Sequence, residues 1–238
     1  VSVDPPNKAA STSGELRVTR SFVDGPRLHR LHASVRGRAR DRTFGGQADL
    51  DLGLISIFED QQATRPAVTF GPQSSDRVRQ WIAGLAYEGR WLDRGELNLG
   101  VQKVDYQLRT AKPGLPVAVT NAAPLLWNAA LSVNLTQSLA VYGAATRGLE
   151  ESGVAPAAAV NRNAALPAIE TRQKDAGLRW RIGPGLNLIG GVFDIRKPYS
   201  NLDEANVWRE LGSVRNRGFE ASLSGQVLPG LTVLAGAV

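Results

Sequence analysis

Apolar and polar residues alternate one by one over long stretches of this chain, and this period of two most limits its possible folds. Over residues 127–135 the odd positions are Trp, Ala, Leu, Val and Leu, and the even positions are Asn, Ala, Ser and Asn. Because successive side chains of a β-strand point to opposite faces, the pattern predicts a strand with one apolar face. It recurs over 80–91, 173–182 and 216–227, and no comparable stretch keeps a helical period. The chain is therefore predicted to be all-β.

Short turns and long connections follow each other in strict order along the chain. Compact turn sequences join the strands into five predicted hairpins, 14–22 with 27–40, 78–91 with 96–108, 125–135 with 139–147, 172–182 with 186–196, and 214–227 with 231 onward. Long connections lie between them, at 41–77, 109–124, 148–171 and 197–213. A soluble sandwich has connections of mixed length at both ends, whereas an outer-membrane barrel has short turns at one end and long loops at the other. The spacing thus predicts an antiparallel transmembrane β-barrel whose strands are long enough to cross a bilayer.

Aromatic residues on the apolar faces mark two levels of this predicted barrel. Trp81 and Trp91 are ten residues apart on one face, which corresponds to about 25 Å of depth in a strand tilted by roughly 40°. Phe22, Trp91 and Trp180 lie beside short turns, whereas Trp81 and Trp127 lie beside long loops. We interpret these five residues as membrane girdles at the two interfaces. The alternative is that they are core tryptophans of a soluble sandwich.

The phase of the alternation changes within the stretch 96–108. Apolar residues occupy odd positions up to Val101 and even positions from Val104 to Leu108. A β-bulge near Gln102 and Lys103 would explain the change and would turn Lys103 away from lipid.

Three segments resemble the barrel of TonB-dependent outer-membrane receptors, and most closely the ferric-siderophore branch. They cover residues 166–180, 192–198 and 212–225. The last segment holds the pattern of a Gly, an Arg-Gly pair and a Glu that leads into an alternating strand, with Arg217, Gly218 and Glu220. Asp175 stands where the family more often has Glu. The resemblance is specific over about 166–226 and looser over 14–147.

The resemblance implies a barrel of about 22 strands filled by an N-terminal plug that carries the TonB-contacting segment. It implies uptake of a ferric siderophore across the outer membrane of a Gram-negative bacterium, with iron carried as the chelate and no cofactor bound directly. The implied partners are outer-membrane lipid, lipopolysaccharide, the TonB complex through the plug, and the siderophore, but not nucleic acid. The chain has about ten predicted strands, no recognisable plug and no initial Met. We therefore expect one partial barrel domain over residues 1–238, truncated at both ends.

Arginine supplies most of the positive charge, since only five of the 28 basic residues are Lys. On the polar face of the strand 27–40, Arg36, Arg38 and Arg40 are predicted to lie at the extracellular mouth, where guanidinium groups suit an anionic ferric chelate. The alternative is that they pair with carboxylates of the plug or the wall. Further residues predicted to face the lumen or the plug are Arg30, Glu88, Asp175 and Glu220.

Two further groups of residues are candidates for contacts outside the lumen. Aromatic residues of the loops would line a ligand vestibule or pack loop against loop, namely Phe58, Phe70, Tyr199 and Trp208. Arg172, Arg215 and Arg217 are predicted to face outward near the outer edge, where lipopolysaccharide phosphates are possible partners.

No catalytic pattern is recognisable, and we predict no enzyme. The chain has no Cys, no Gly-rich phosphate loop and no triad pattern. His29 and His32 are three residues apart on a predicted strand, so they point to opposite faces and cannot share a metal ion. Two alternatives to the receptor stay open. One is a porin or autotransporter barrel that binds nothing tightly, and the other is a soluble basic β-protein that binds nucleic acid through the arginines of 30–42 with Phe44.

Overall fold

The computed structural model describes residues 1–51, 67–183 and 185–238, and its regular structure is all β. The strands are β1 (Ser2–Val3), β2 (Lys8–Asp24), β3 (Arg27–Phe44), β4 (Ala48–Asp49), β5 (Ser74–Trp91), β6 (Gly95–Ala111), β7 (Ala118–Ala122), β8 (Leu125–Asn134), β9 (Leu139–Glu150), β10 (Ile169–Ile182), β11 (Leu186–Leu202), β12 (Trp208–Leu228) and β13 (Leu231–Ala237). Within these ranges, no helix is long and apolar enough to cross a membrane. Residues 52–66 of the predicted connection 41–77, which include Phe58, and Pro184 of a predicted turn lie outside the described residues.

Eleven strands form one antiparallel sheet, in which strands that follow each other in the chain are neighbours. The order is β13-β12-β11-β10-β9-β8-β6-β5-β3-β2, and β7 pairs with β6 beyond the end of β8. All five predicted hairpins are confirmed, and the short turns lie at one end of the sheet, the turn end. The connections at the opposite end, the loop end, are long. β1 pairs only with β4 in a separate two-stranded sheet.

Most strands are longer than predicted, and nearly all of the added length lies at the loop end. β3 continues to Phe44 and β5 already begins at Ser74, where the sequence predicted a connection from residue 41 to residue 77. β7 was also missed, inside the predicted connection 109–124. The alternation of apolar and polar residues depends on one face meeting an apolar surrounding. The alternation fades where the strands extend beyond this apolar surrounding. A prediction based on the alternation alone therefore places the loop-end strand boundaries too early.

Strand register divides the side chains of the sheet between two faces. The outer face carries exposed apolar side chains such as Leu16, Val35 and Leu85, and the lumen face carries polar ones such as Arg30 and Glu88. The register places all five predicted girdle residues on the outer face, namely Phe22, Trp81, Trp91, Trp127 and Trp180.

The predicted bulge at Gln102 and Lys103 is wrong, because β6 pairs with β5 in one unbroken register through both residues. Apolar side chains change face here because their surroundings change. Beyond Val101, the outer face carries polar residues, and the lumen face of β6 is covered by side chains of other strands and by Ala168 of the loop after β9. Val104, Tyr106 and Leu108 are buried there together with Val78 of β5, against partly buried side chains of other strands and loops, Ile82, Ala122, Leu126, Leu149 and Ala168. The main buried apolar cluster of the described chain therefore lies at the loop end.

Candidate functional site

A row of arginines follows the lumen face of β3. Successive even positions share this face, so Arg30, Arg36, Arg38 and Arg40 point the same way; we call these four residues the arginine row. Arg30 lies nearest the turn end, and its Nη1 is 3.4 Å from Oε1 of Glu88. This is one of the wall carboxylates that the sequence placed in the lumen. The same oxygen lies closer to Arg90 Nε, at 2.7 Å, so the turn-end member of the row shares its carboxylate with a second arginine.

Arg38 and Arg40 share a single carboxylate that the sequence analysis did not identify. Arg40 Nη2 lies 3.0 Å from Glu151 Oε2, and Arg38 Nη1 lies 3.7 Å from Glu151 Oε1. Glu151 follows β9 and stands 111 residues away from Arg40 in the chain. No local pattern links two such distant positions, so only the folded chain reveals the pairing.

Arg36 makes no ion pair with any residue that the structure describes. Its register neighbour on β2 is Glu15, but the Oε1 of Glu15 is 2.6 Å from Nη2 of Arg17. The loop-end part of the row thus combines three guanidinium groups with one carboxylate. This leaves a net positive charge on the lumen face.

Two buried polar atoms beside Glu151 have no hydrogen-bond partner among the described residues. They are Arg40 Nε and the hydroxyl of Tyr106, whose side chain is 1% exposed. Tyr106 faces Gln80, which in turn faces Arg38, so the three side chains form one line across β6, β5 and β3. Buried donors without partners are rare in proteins and often mark a site where something else binds.

The loop that begins at Glu151 holds several outer segments together. We call residues 151–168 the hub loop. Its Asn161 side chain donates to the carbonyl of Trp208 at 2.9 Å and accepts from the Trp208 amide at 2.8 Å. Asn163 Nδ2 donates to the Pro116 carbonyl at 2.9 Å, in the loop between β6 and β7. The hub loop therefore links the arginine row on β3 to Trp208 of β12, although six strands lie between β3 and β12 in the sheet.

The other predicted loop aromatics lie apart from this assembly. Tyr199 is 43% exposed, and its hydroxyl accepts a hydrogen bond from Asn201 Nδ2 at 2.6 Å. Phe70 is also exposed. Phe58 lies outside the described residues.

Asp203 organises the connection between β11 and β12, next to Trp208. Its carboxylate accepts hydrogen bonds from the amides of Val207 at 2.9 Å and Ala205 at 3.0 Å, and from Arg209 Nε at 2.6 Å. The Val207 amide is the largest cause that holds the pKa of Asp203 below its usual range, followed by Arg209. The ionised carboxylate therefore keeps this loop in shape.

The remaining predicted lumen residues do not join the arginine row. Asp175 accepts hydrogen bonds from its neighbour Gln173 on β10. Glu220 is exposed on the lumen face of β12. At the turn end, a cavity of about 830 Å³ is lined by four arginines and two acidic residues, namely Arg27, Arg90, Arg179, Arg181, Asp93 and Glu96, among others. The lumen is thus basic at both levels.

Basic side chains also collect on the outer face near the loop end. Arg215 Nε donates to Asp194 Oδ1 at 2.8 Å, and Arg217 Nε donates to Asp194 Oδ2 at 3.2 Å. Arg172 lies opposite Arg147 and Arg196 in the same sheet. Arg196 Nε also lies 3.8 Å from Asp194 Oδ1, so one carboxylate here serves three arginines, and the outer rim also carries excess positive charge.

Gly218 of the family-like motif lies under an aromatic ring. A Cβ at this position would come within 2.7 Å of the Phe193 ring on the neighbouring strand. Only glycine leaves room for the ring there. The motif thus has a packing reason that the sequence did not show.

The two histidines lie on opposite faces, as their spacing predicts. His29 Nδ1 is 2.8 Å from the Tyr87 hydroxyl on the outer face, whereas His32 Nδ1 is 2.9 Å from Thr19 Oγ1 on the lumen face. Within the described residues, no group of three or more His, Cys, Asp or Glu side chains could hold a metal ion.

Solved structures of outer-membrane receptors have the same strand arrangement. The ferric preacinetobactin receptor BauA of Acinetobacter baumannii superposes with a TM-score of 0.72 at 21% identity, over 97% of this chain and 36% of the receptor. The ferric-catecholate import receptor Fiu of E. coli K12 gives 0.75 at 15%, over 97% and 37%. The ferripyoverdine receptor of Pseudomonas aeruginosa gives 0.75 at 18%, over 97% and 32%. The chain therefore spans about a third of the length of these receptors. Comparison with curated protein sequences finds no match.

The family comparison covers almost the whole chain. Residues 6–238 match the family described as "TonB dependent receptor-like, beta-barrel". This family corresponds to the first of the three interpretations that the sequence left open. With its open antiparallel sheet, short turns at one end and long loops at the other, the chain belongs to the TonB-dependent receptor-like β-barrel family.

Proposed function

We propose that this chain is one partial barrel domain of an outer-membrane receptor that takes up a ferric siderophore. It supplies barrel wall, outer loops and part of the lumen that faces the ligand. The observation that carries the proposal is the excess positive charge at the loop end of the arginine row. Ferric chelates of catecholates and carboxylates are anionic, and guanidinium groups bind paired oxygens through two parallel hydrogen bonds.

The arrangement of the row supports binding near the mouth. Arg36 has no carboxylate partner among the described residues, and Arg38 and Arg40 share only Glu151. Arg30 is already paired with Glu88, so its role is to join wall to wall or wall to plug. In this proposal, Tyr199 and Trp208 add aromatic surface to the vestibule, and Phe58, which lies outside the described residues, stays a further candidate for it.

Transport through the wall requires parts beyond these residues. We propose that a plug fills the lumen, meets the basic cavity at the turn end, and couples ligand release to the TonB complex. Iron is the cargo and travels as the chelate. The outer membrane of a Gram-negative bacterium is the compartment in which such a receptor works.

The test is a double substitution in the complete receptor, R36A with R38A. Loss of a hydrogen bond to a charged group costs about 1.5–3 kcal/mol, so we expect siderophore affinity and uptake to fall by roughly tenfold or more. The matched control is R79A with R109A, two arginines on the outer face near the same end of β5 and β6. Heat-modifiable migration in gels checks that the amount of folded barrel is unchanged. Unchanged uptake in R36A/R38A would remove the arginine row from the ligand site.

We also propose that the outer rim contacts lipopolysaccharide. Its support is that Arg172, Arg215 and Arg217 share the outer face near the loop end, where Asp194 pairs with Arg215 and Arg217, and Glu170 pairs with Arg147. Phosphates of the outer leaflet are the matching anions at that level. In R215A/R217A, the amount of lipopolysaccharide that copurifies with the receptor is expected to fall, and an equal amount would contradict this contact.

A further inference from the structure

We infer that Glu151 is an internal competitor for the ligand, because its carboxylate occupies Arg38 and Arg40 and an anion with paired oxygens must displace it. The inference rests on the proposed function, since it concerns the same arginines. It adds a residue that sets which chelates the receptor accepts.

The carboxylate of Glu151 imitates an anionic ligand. Its two oxygens reach two different guanidinium groups, at 3.0 Å to Arg40 and 3.7 Å to Arg38. The second distance exceeds that of a hydrogen bond, so only one of the two contacts is fully formed. The Glu151 side chain is also 41% exposed. Water and solutes therefore reach it, and the pair opens without disrupting a core.

The site offers more donors than Glu151 uses. Arg40 Nε and the Tyr106 hydroxyl are buried and have no hydrogen-bond partner among the described residues. Tyr106 lies on the same face as Arg38, two strands away. A buried donor without an acceptor keeps the full cost of its lost hydration. An anion that reaches these donors as well as the two guanidinium groups gains contacts that one glutamate cannot make.

Competition of this kind selects by charge. A neutral chelate that entered the site would have to separate Glu151 from the arginines without replacing its charge, which leaves charged groups unpaired. An anionic chelate supplies negative charge to the arginines in place of Glu151. Glu151 therefore weakens every ligand somewhat, but it excludes neutral ligands much more strongly.

Displacement of Glu151 from the arginines also affects the outer loops, because Glu151 is the first residue of the hub loop. The same loop is bonded to Trp208 through Asn161 and to Pro116 through Asn163. Release of its first residue removes the ion pairs of the loop to β3 and leaves it bonded to Trp208, to Pro116 and, through the Leu166 carbonyl, to Thr120 Oγ1 of β7 at 3.0 Å. Occupancy of the row is thus expected to change the mobility of the hub loop.

The experiment compares E151Q with E150Q in the complete receptor. Gln keeps the size of Glu and removes its charge, and Glu150 is a matched control because it pairs elsewhere, with Lys197 Nζ at 3.8 Å. The probes are the trianionic ferric tris(catecholate) complex and a neutral ferric tris(hydroxamate) complex. We expect E151Q to lower the Kd of the trianion by about tenfold, since its competitor is gone, and E150Q to leave it within about twofold.

The outcomes separate this inference from the proposed function. An unchanged or higher Kd of the trianion in E151Q overturns the inference, because Glu151 would then order the arginines instead of competing. Stronger binding of the neutral probe than of the trianion to the parent receptor overturns it too, as does no binding of the trianion to either protein. R38A/R40A tests the proposed function itself. If this variant binds the trianion as well as the parent does, the arginine site is wrong; if it binds more weakly while E151Q is unchanged, only the role of Glu151 fails.

Discussion

Substitution of Val104 by Ala tests whether the strands carry a packed core between the girdle residues and the loop end. Its side chain is fully buried in the cluster with Val78, Tyr106 and Leu108. V104A removes two carbon atoms, which loses about 1.6 kcal/mol of transfer free energy at roughly 0.8 kcal/mol per group. A residual cavity of about 50 Å³ would add roughly 1 kcal/mol at about 24 cal/mol per Å³. We expect the free energy of unfolding to fall by about 2–3 kcal/mol.

The assay is urea unfolding of the receptor in detergent micelles, followed by tryptophan fluorescence and extrapolated to zero denaturant. The matched control is V160A, which makes the same deletion in the hub loop at a side chain that is 73% exposed. We expect that control to stay within about 0.5 kcal/mol of the parent. If V104A lowers the free energy of unfolding no more than V160A does, the inward packing of β6 is wrong. The change of phase after Val101 then needs another cause.

Two further predictions concern packing under a ring and the charge of a loop. G218A forces a Cβ against the Phe193 ring and is expected to cost about 1–3 kcal/mol, whereas G14A, with no atom within 4 Å of its Cβ, is expected to be neutral in the same unfolding assay; equal effects would contradict the ring contact. The pKa of Asp203 is lowered in the folded chain, so its contribution to loop stability is present above the usual Asp range and is lost as the pH falls through the lowered pKa. The protection of the Val207 amide against hydrogen exchange, taken relative to the intrinsic exchange rate at the same pH, is expected to fall in acid in the parent and to be low at neutral pH in D203N. Equal protection in both proteins at neutral pH would refute the role of this carboxylate.

Local signals were sufficient to predict the hairpins. A turn sequence and the alternation on both sides of it involve neighbouring residues only, so residues 125–135 and 139–147 specify their own pairing and faces. The opposite faces of His29 and His32 follow from the same rule. The family motif at Arg217, Gly218 and Glu220 was likewise readable without coordinates, although its packing against Phe193 was not.

Contacts between distant segments were beyond such local rules. The alternation predicted a bulge at Lys103, whereas the strand is regular and its inner face is buried against other strands and Ala168. The pairing of Arg40 with Glu151 joins positions 111 residues apart. Local patterns carry the direction in which a side chain points, because backbone geometry sets it residue by residue. What a side chain meets in that direction depends on how loops return over the sheet, and for this chain that return places a competing carboxylate on the arginine row.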